Sequence, residues 1–464
     1  MKNLTPENLA AVTGGSLYCR DNLKNKEITS ITTDSRKVEE GCLFIPLKGA
    51  RADGHDFIPQ VMEKGTLLTL TERKDTAEHY DCILVESTEM ALRKIAQFYI
   101  KVENVPVISI TGSVGKTSTK EMIASVVSQK YKTLKTQGNF NNELGLPLTI
   151  FRLRDEDEAA VLEMGISHFG DMSVLADIAN PDIAVITNIG TCHLENLIDR
   201  DGVFKAKTEV FDFLKENGRV VLNGDDDKLC NVSKVKGKKP VFFGLNPKND
   251  IWADELTPLG LKGISCCIHT PEESFEVSIP IPGQHMVLNA LAAAAVGLLM
   301  DVSISDIKRG IESTEALAGR FHIIYPEDNE NIHEKNITII DDCYNANPMS
   351  MKASLGILQD ALGRKVALLG DMGELGDNEE DLHREVGIYA SDHCPDLLMT
   401  AGPLSALIAE EVKKKNPDAA VYSYPDTESL KKNLGDVIQN GDTVLVKASH
   451  FMNFTDITKA LELM

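Results

Sequence analysis

The sequence predicts an α/β protein of three domains. A small N-terminal α/β domain precedes a central P-loop domain built on a parallel sheet, and a C-terminal Rossmann-like domain follows. Three observations predict this. The 464 residues suffice for about three domains at the usual ~150 residues each. Short apolar, β-branched runs alternate with helical stretches along most of the chain, the pattern of sheets covered by crossover helices. One strand–loop–helix unit, residues 105–130, carries a phosphate-cradling loop.

In the N-terminal unit, taken as residues 1–102, the run 28–33 leads to Asp34-Ser35-Arg36 and the run 42–47 to Lys48-Gly49. Residues 89–102 read as an amphipathic helix that hands over at Asn104-Val105-Pro106. The central unit, taken as 103–314, closes with an alanine-rich helix around 288–295 and a shorter one at 304–313. From 315 to 464, strands expected at 337–341, 365–369, 397–400, 420–423 and 443–447 alternate with helices, a second doubly wound sheet.

The loop is Ile110-Thr111-Gly112-Ser113-Val114-Gly115-Lys116-Thr117-Ser118. The apolar run 105–110 before it reads as a buried strand. After it, Met122, Ile123, Val126 and Val127 share one face of a helix expected over 117–130. Two glycines let the backbone approach an anion, and the helix N-terminus offers free N–H groups and a positive dipole end. Lys116 adds a full charge and the Thr117 hydroxyl suits magnesium. The strict pattern asks for glycine where Ile110 stands. Other expected strands also end in polar side chains: 159–162 at Glu163, 183–186 at Thr187-Asn188 with His193 beyond, 219–222 at Asn223, 337–340 at Asp341-Asp342, and 366–369 at Gly370-Asp371. Any one of these is an ordinary turn residue. Their repetition outlines a crevice at the carboxyl edge of parallel sheets.

Composition narrows the class. With 42% hydrophobic residues, the chain can bury cores of ordinary size. No apolar run reaches the 18 or more residues of a membrane span, and the first residues lack the apolar core of a signal peptide. A formal charge of −22 argues against nucleic acid or anionic membrane as partner. Any phosphate site must therefore be built locally from dipoles, Lys116 and metal. The nine cysteines are scattered without a CxxC pair; reduced thiols and a cytoplasmic location are expected, with the chain acting as a monomer.

Four motifs resemble the ATP-dependent Mur ligases: Thr111-Gly112-x-x-Gly115-Lys116-Thr117, Glu163-Met164-Gly165, Thr187-Asn188-Ile189-Gly190 with His193, and Lys207 within Ala206-Lys207-Thr208-Glu209. Asp341-Asp342-Cys343-Tyr344-Asn345-Ala346-Asn347-Pro348 and Leu369-Gly370-Asp371-Met372-Gly373-Glu374, with His383, are similar to one branch, as are Gly138-Asn139-Phe140-Asn141-Asn142 and Gly54-His55-Asp56-Phe57. The resemblance implies an ATP- and Mg2+-dependent ligase that joins D-alanyl-D-alanine to a UDP-N-acetylmuramoyl-tripeptide through an acyl phosphate.

The resemblance also implies roles. Gly112, Ser113, Val114, Gly115, Lys116, Thr117 and Ser118 would cradle phosphate, and Lys116, His193 and Lys207 would serve catalysis. Thr117, Glu163, His193 and a carbamylated Lys207 would hold metal. Asn289 would lie on the adenine side, with Arg320 and Asp342 on phosphate and ribose. Ser35, Arg36, His55, Asn141 and Asn142 would bind the acceptor substrate. Without the resemblance, Lys207 reads as a surface helix lysine, Asp342 as a solvated strand end and Arg320 as a linker ion pair. Three residues depart from the family pattern: Met286 for an asparagine, and Ala448 and His450 in place of the glycine and arginine of a Lys-Gly-Ser-Arg stretch. Losing that arginine removes a fork of donors suited to carboxylate. A related ligase with another amine substrate, or a non-catalytic binder of cell-wall precursors, are the alternatives; keeping Lys116, Glu163, His193 and Lys207 together disfavours the binder.

Overall fold

The computed structural model describes residues 1–50, 52–325 and 335–464. Three sheets organise it. The first contains β1 (Ser16–Tyr18), β2 (Ile31–Thr32), β3 (Leu43–Phe44), β4 (Leu68–Thr71) and β5 (Cys82–Leu84), in the order β1-β5-β4-β3-β2. All neighbours are parallel except β1 on β5. The helix Thr88–Glu103 turns Leu92, Ile95, Ala96 and Tyr99 to one face, in an apolar cluster that also holds Leu68, Leu70 and Ile83 of this sheet. Ser87 caps its first turn and Asn104, at φ 50°, ends it in the left-handed conformation. β2 and β3 are only two residues each, shorter than the apolar runs 28–33 and 42–47. Ile28 and Ile45 stay buried, but the N–H of Ile28 bonds to the Leu4 carbonyl rather than to a strand.

The second sheet runs from β6 (Val107–Thr111) through β7 (Thr133–Lys135), β8 (Ala159–Glu163), β9 (Ile183–Ile186), β10 (Arg219–Asn223), β11 (Val241–Gly244), β12 (Ile251–Pro258), β13 (Ile264–His269) and β14 (Ser274–Ile279). Its order is β14-β13-β12-β11-β10-β9-β6-β8-β7. The strands from β7 to β12 are parallel, as expected, and β8 and β9 flank β6. That arrangement opens a crevice at their carboxyl ends. The sheet then continues into an antiparallel meander, β12–β13–β14, which the expected parallel sheet did not specify. These strands bury one face only, so their apolar residues alternate with polar ones instead of forming the solid runs of β6, β8 and β9. Helix Gln284–Leu299 packs on the inner face of β10–β13 and is apolar nearly all round, as a buried helix must be.

The third sheet holds β15 (His322–Ile324), β16 (Thr338–Asp341), β17 (Lys365–Gly370), β18 (Leu397–Ala401), β19 (Val421–Tyr424) and β20 (Thr443–Lys447). Its order is β15-β16-β20-β17-β18-β19, with β15 antiparallel and the rest parallel. One apolar cluster extends from Met122 and Val126 of the P-loop helix through Ile281 and Met286 to Met351, Leu355 and Leu369. The second and third sheets are thus seated on a shared core. Among the described residues no helix is long and apolar enough to cross a membrane.

Candidate active site

The loop after β6 is shaped by what lies beside it. Gly112 has φ 151°, and a Cβ there would meet the Thr187 hydroxyl at 1.9 Å, so the position accepts no side chain. Gly115, at φ 81°, starts helix Lys116–Val127 from the left-handed region, where a side chain is strained. The end of β9 braces the loop. The N–H groups of Ser113 and Val114 donate to the Asn188 carbonyl (3.1 Å) and its Oδ1 (2.9 Å). The Thr187 hydroxyl donates to the Val114 carbonyl at 2.7 Å. Lys116 folds back over the loop, its Nζ 2.9 Å from the Gly112 carbonyl. The result is a concave row of N–H groups at a helix N-terminus with a cation above it, an anion site by construction.

This loop forms one wall of a cavity of about 350 Å³ between the second and third sheets. Ser113 to Ser118, Asn141, Glu163 and Asn289 line one side, and Arg320, Asp342, Tyr344 and Lys447 the other. Asp342, at the end of β16, accepts from Lys447 (2.5 Å), the Ser354 hydroxyl (2.6 Å) and the Phe321 N–H (3.2 Å). The Arg320 guanidinium lies 4.2 Å from the centre of the Tyr344 ring, which holds its plane while leaving its donors at the cavity. Asn289 accepts from the Thr119 hydroxyl at 2.9 Å and donates to the Met286 sulfur at 3.3 Å. Met286 is thus a buried neighbour of Asn289 rather than a second amide.

Glu163 closes β8 with a carboxylate that is almost wholly buried. Its Oε1 accepts from Asn141 Nδ2 at 2.8 Å, but Oε2 has no partner among the described residues. A buried, unsatisfied carboxylate oxygen in the cavity that Thr117 also lines is costly unless a cation meets it. The hard oxygen donors Glu163 and Thr117 fit magnesium. His193, at φ 53°, places Nδ1 3.2 Å from Glu374 of the third sheet's loops, and that contact holds the Glu374 carboxyl below its usual value. Lys207, in helix Arg200–Thr208, is 1% exposed and has no carboxylate partner among the described residues. Burial, reinforced by repulsion from Lys116, pulls its ammonium down to about 7. Neither His193 nor Lys207 lines the cavity itself.

Four of the expected substrate residues, Ser35, Arg36, His55 and Asn142, do not line the cavity. His55 is fully buried, with Nδ1 2.7 Å from Asp53 and Nε2 accepting from the Glu72 N–H at 3.1 Å. Both ring nitrogens are used within the first unit. Arg36 is exposed and bidentate on Asp34, whose carboxyl it holds at about 2. Ser35 lies beside it, away from the cavity. Asn142 caps helix Gly145–Ile150 by accepting from the Leu144 and Gly145 N–H groups. Asn188, Tyr344, Ser354 and Lys447 were given no individual role from sequence. The polar ends of β9 and β20 were a signal for Asn188 and Lys447, and Tyr344 stands within the motif at 341–348; Ser354 carried none.

Models of known families match in three parts: the Mur ligase catalytic domain over residues 27–120, the Mur ligase middle domain over 110–297, and the glutamate ligase domain of Mur ligases over 319–450. The UDP-N-acetylmuramoyl-tripeptide–D-alanyl-D-alanine ligase of Bacillus subtilis is 38% identical over 98% of both chains. The chain belongs to the Mur ligase family. The Escherichia coli ligase of the same name is 34% identical over 95% of both chains. Among solved structures, MurF from Acinetobacter baumannii superposes with a TM-score of 0.88 at 32% identity, covering 99% of this chain and 98% of that one. A MurF ligase from Thermotoga maritima in complex with ADP superposes with a TM-score of 0.81 at 30% identity, covering 93% and 97%. This Mur ligase holds His450 edge-on to Tyr344, ring centres 5.7 Å apart; Tyr344 lines the cavity and His450 does not.

Proposed function

We propose that this Mur ligase joins D-alanyl-D-alanine to the terminal carboxylate of a UDP-N-acetylmuramoyl-tripeptide in cytoplasmic peptidoglycan precursor synthesis, using ATP and acting as a monomer. The observation that carries the reading is the cavity shared by the P-loop and by Arg320 and Asp342, in a chain alignable end to end with ligases of that name.

The substrate carboxylate oxygen attacks the γ-phosphorus of ATP, ADP leaves, and an acyl phosphate forms. The amine nitrogen then attacks the acyl carbon, its proton is lost, and phosphate departs to leave the amide. Lys116 and the N–H groups of Gly115 to Ser118 neutralise charge on the transferring phosphoryl group. Asn289 takes the adenine side, and Arg320 and Asp342 take phosphate and ribose from the opposite wall. Thr117, Glu163 and His193 would hold magnesium, which supplies charge neutralisation on the phosphates. Lys207 fits carbamylation: near neutral pH much of it is free amine, which can attack carbon dioxide and lose a proton to become an anionic ligand. That removes an ammonium that would repel metal. Asn141 holds Glu163 in place, while Ser35 and Arg36 serve the UDP-sugar side.

The test is phosphate release from ATP across UDP-muramoyl peptides, with lysine or diaminopimelate third, and a panel of dipeptides. Turnover that peaks with a tripeptide and D-alanyl-D-alanine supports the reading; no stimulation by any muramoyl peptide refutes it. His450 favours a second reading, a related amine substrate, for which another dipeptide would lead the panel.

A further inference from the structure

The antiparallel meander takes no part in the cavity: no residue of β12, β13 or β14 lines it. Its inner face is ordinary core, with Ile251, Ala253, Cys266 and Ile268 buried. The outer face is different. Cross-strand register sets Asp254 opposite Cys267 and Trp252 opposite His269. The next pairing sets Glu276 opposite Cys267 and Ser274 opposite His269. Side chains two apart on a strand share a face, so these residues form two adjacent rows on one surface. A carboxylate oxygen of Asp254, the Cys267 sulfur and a ring nitrogen of His269 lie within 4.8 Å of one another.

The cluster is held rather than incidental. The His269 ring stacks on Trp252, centres 3.9 Å apart at 13°. Its Nε2 is 2.8 Å from Asp254 and its Nδ1 2.7 Å from the Ser274 hydroxyl. A bulge follows Asp254, with Glu255 at φ 53°, and turns the strand just past the carboxylate. One thiol, one imidazole and one carboxylate are the donors of zinc chemistry, and hard ions such as magnesium do not select sulfur. An outer hydrogen bond from the second ring nitrogen is the usual support of a metal-bound histidine.

We propose that Asp254, Cys267 and His269 form a zinc-class divalent cation site on the outer face of the meander, with the fourth place open to water. The ion takes the position of the proton between His269 Nε2 and Asp254. The ring's single proton then sits on Nδ1 and donates to Ser274, while the Cys267 thiol proton is released to solvent as sulfur binds. The site staples β12 to β13 at the edge of the central sheet, apart from the reaction.

The experiment uses the full chain, stripped with chelator and then saturated with Mg2+ and ADP to occupy the cavity. Zn2+ binding is measured by competition with a chromophoric chelator, and Co2+ serves as an optical probe. One zinc equivalent per chain is expected, with a thiolate-to-cobalt charge-transfer band that disappears in Cys267→Ser. His269→Ala should weaken zinc binding by about tenfold or more, and both variants should keep the ligase rate. Should either variant fail to fold, Asp254→Asn replaces it and should weaken zinc binding likewise. Zinc stoichiometry and affinity unchanged in these variants, or a cobalt spectrum without the sulfur band, overturns the site.

Discussion

At the residue scale, the loop and the buried lysine make the sharpest claims. Lys116 is the cation placed over the phosphate cradle. Lys116→Ala should lose on the order of 10³-fold or more in turnover while the protein stays folded; near-normal turnover in a steady-state assay would reject the loop's role. Lys207 is buried with only a like charge and a thiol acting on it. Lys207→Ala should be nearly inactive yet partly restored by short-chain carboxylic acids. A wild-type rate indifferent to carbon dioxide depletion would count against carbamylation. Asp53 tests the first unit separately. Its own burial raises its carboxyl, but hydrogen bonds from His55 and Arg73 outweigh this and hold it at about 2, against an ordinary 3.8. A lowered folded-state value means stabilisation present above about 3.8 and lost as pH falls towards 2. The melting-temperature gap between wild type and Asp53→Asn should therefore shrink over that window, and a constant gap would contradict it.

At the element scale, the loop between β6 and its helix depends on the neighbouring end of β9. Gly112→Ala would drive a methyl group to within 1.9 Å of the Thr187 hydroxyl. Overpacking of this kind costs about 1–3 kcal/mol, and here it also pushes the phosphate cradle away from Asn188. Weaker ATP binding by calorimetry, together with a lower melting temperature, is the expected pair of effects; unchanged ATP affinity would show that the loop tolerates displacement. Elements with solid apolar runs were readable because both faces are covered, as in β8, β9 and β17. The meander was not readable, because its alternation includes Cys266, Cys267, Ser265 and His269, residues with no strong strand signature.

At the scale of the whole molecule, the nucleotide would be gripped from two sheets. An apolar cluster joins the two sheets, and beside it the ion-pair contact of His193 with the largely exposed Glu374 is polar and open to solvent. The connection carries two left-handed residues, Gly319 at φ 72° and Phe321 at φ 58°, where a dihedral change can be absorbed. Catalysis needs water kept from the acyl phosphate. We expect the free enzyme to populate an open arrangement that ATP and the peptide substrate shift towards closed. Small-angle scattering should then show a smaller radius of gyration with ligands; an unchanged radius from an already closed free form would refute the motion and leave the ligase reading intact.

The α/β class, the phosphate loop and the strand-end residues Glu163 and Asp342 followed from the sequence by itself. Each depends on local chemistry: apolar runs that must be buried, glycines where the backbone must approach an anion, and polar side chains where strands stop. Tertiary structure alone decided which polar residues line the cavity and which hold loops and helix starts. His55 and Asn142 have the right chemistry for recognition, but their hydrogen bonds are spent on Asp53 and Glu72 and on a helix start. Lys207 and Tyr344 look ordinary in the chain, and only the fold buries the one beside Lys116 and stacks the other under Arg320. Hydrogen-bond demand and desolvation are set by partners brought in from elsewhere in the fold, and no local pattern records them.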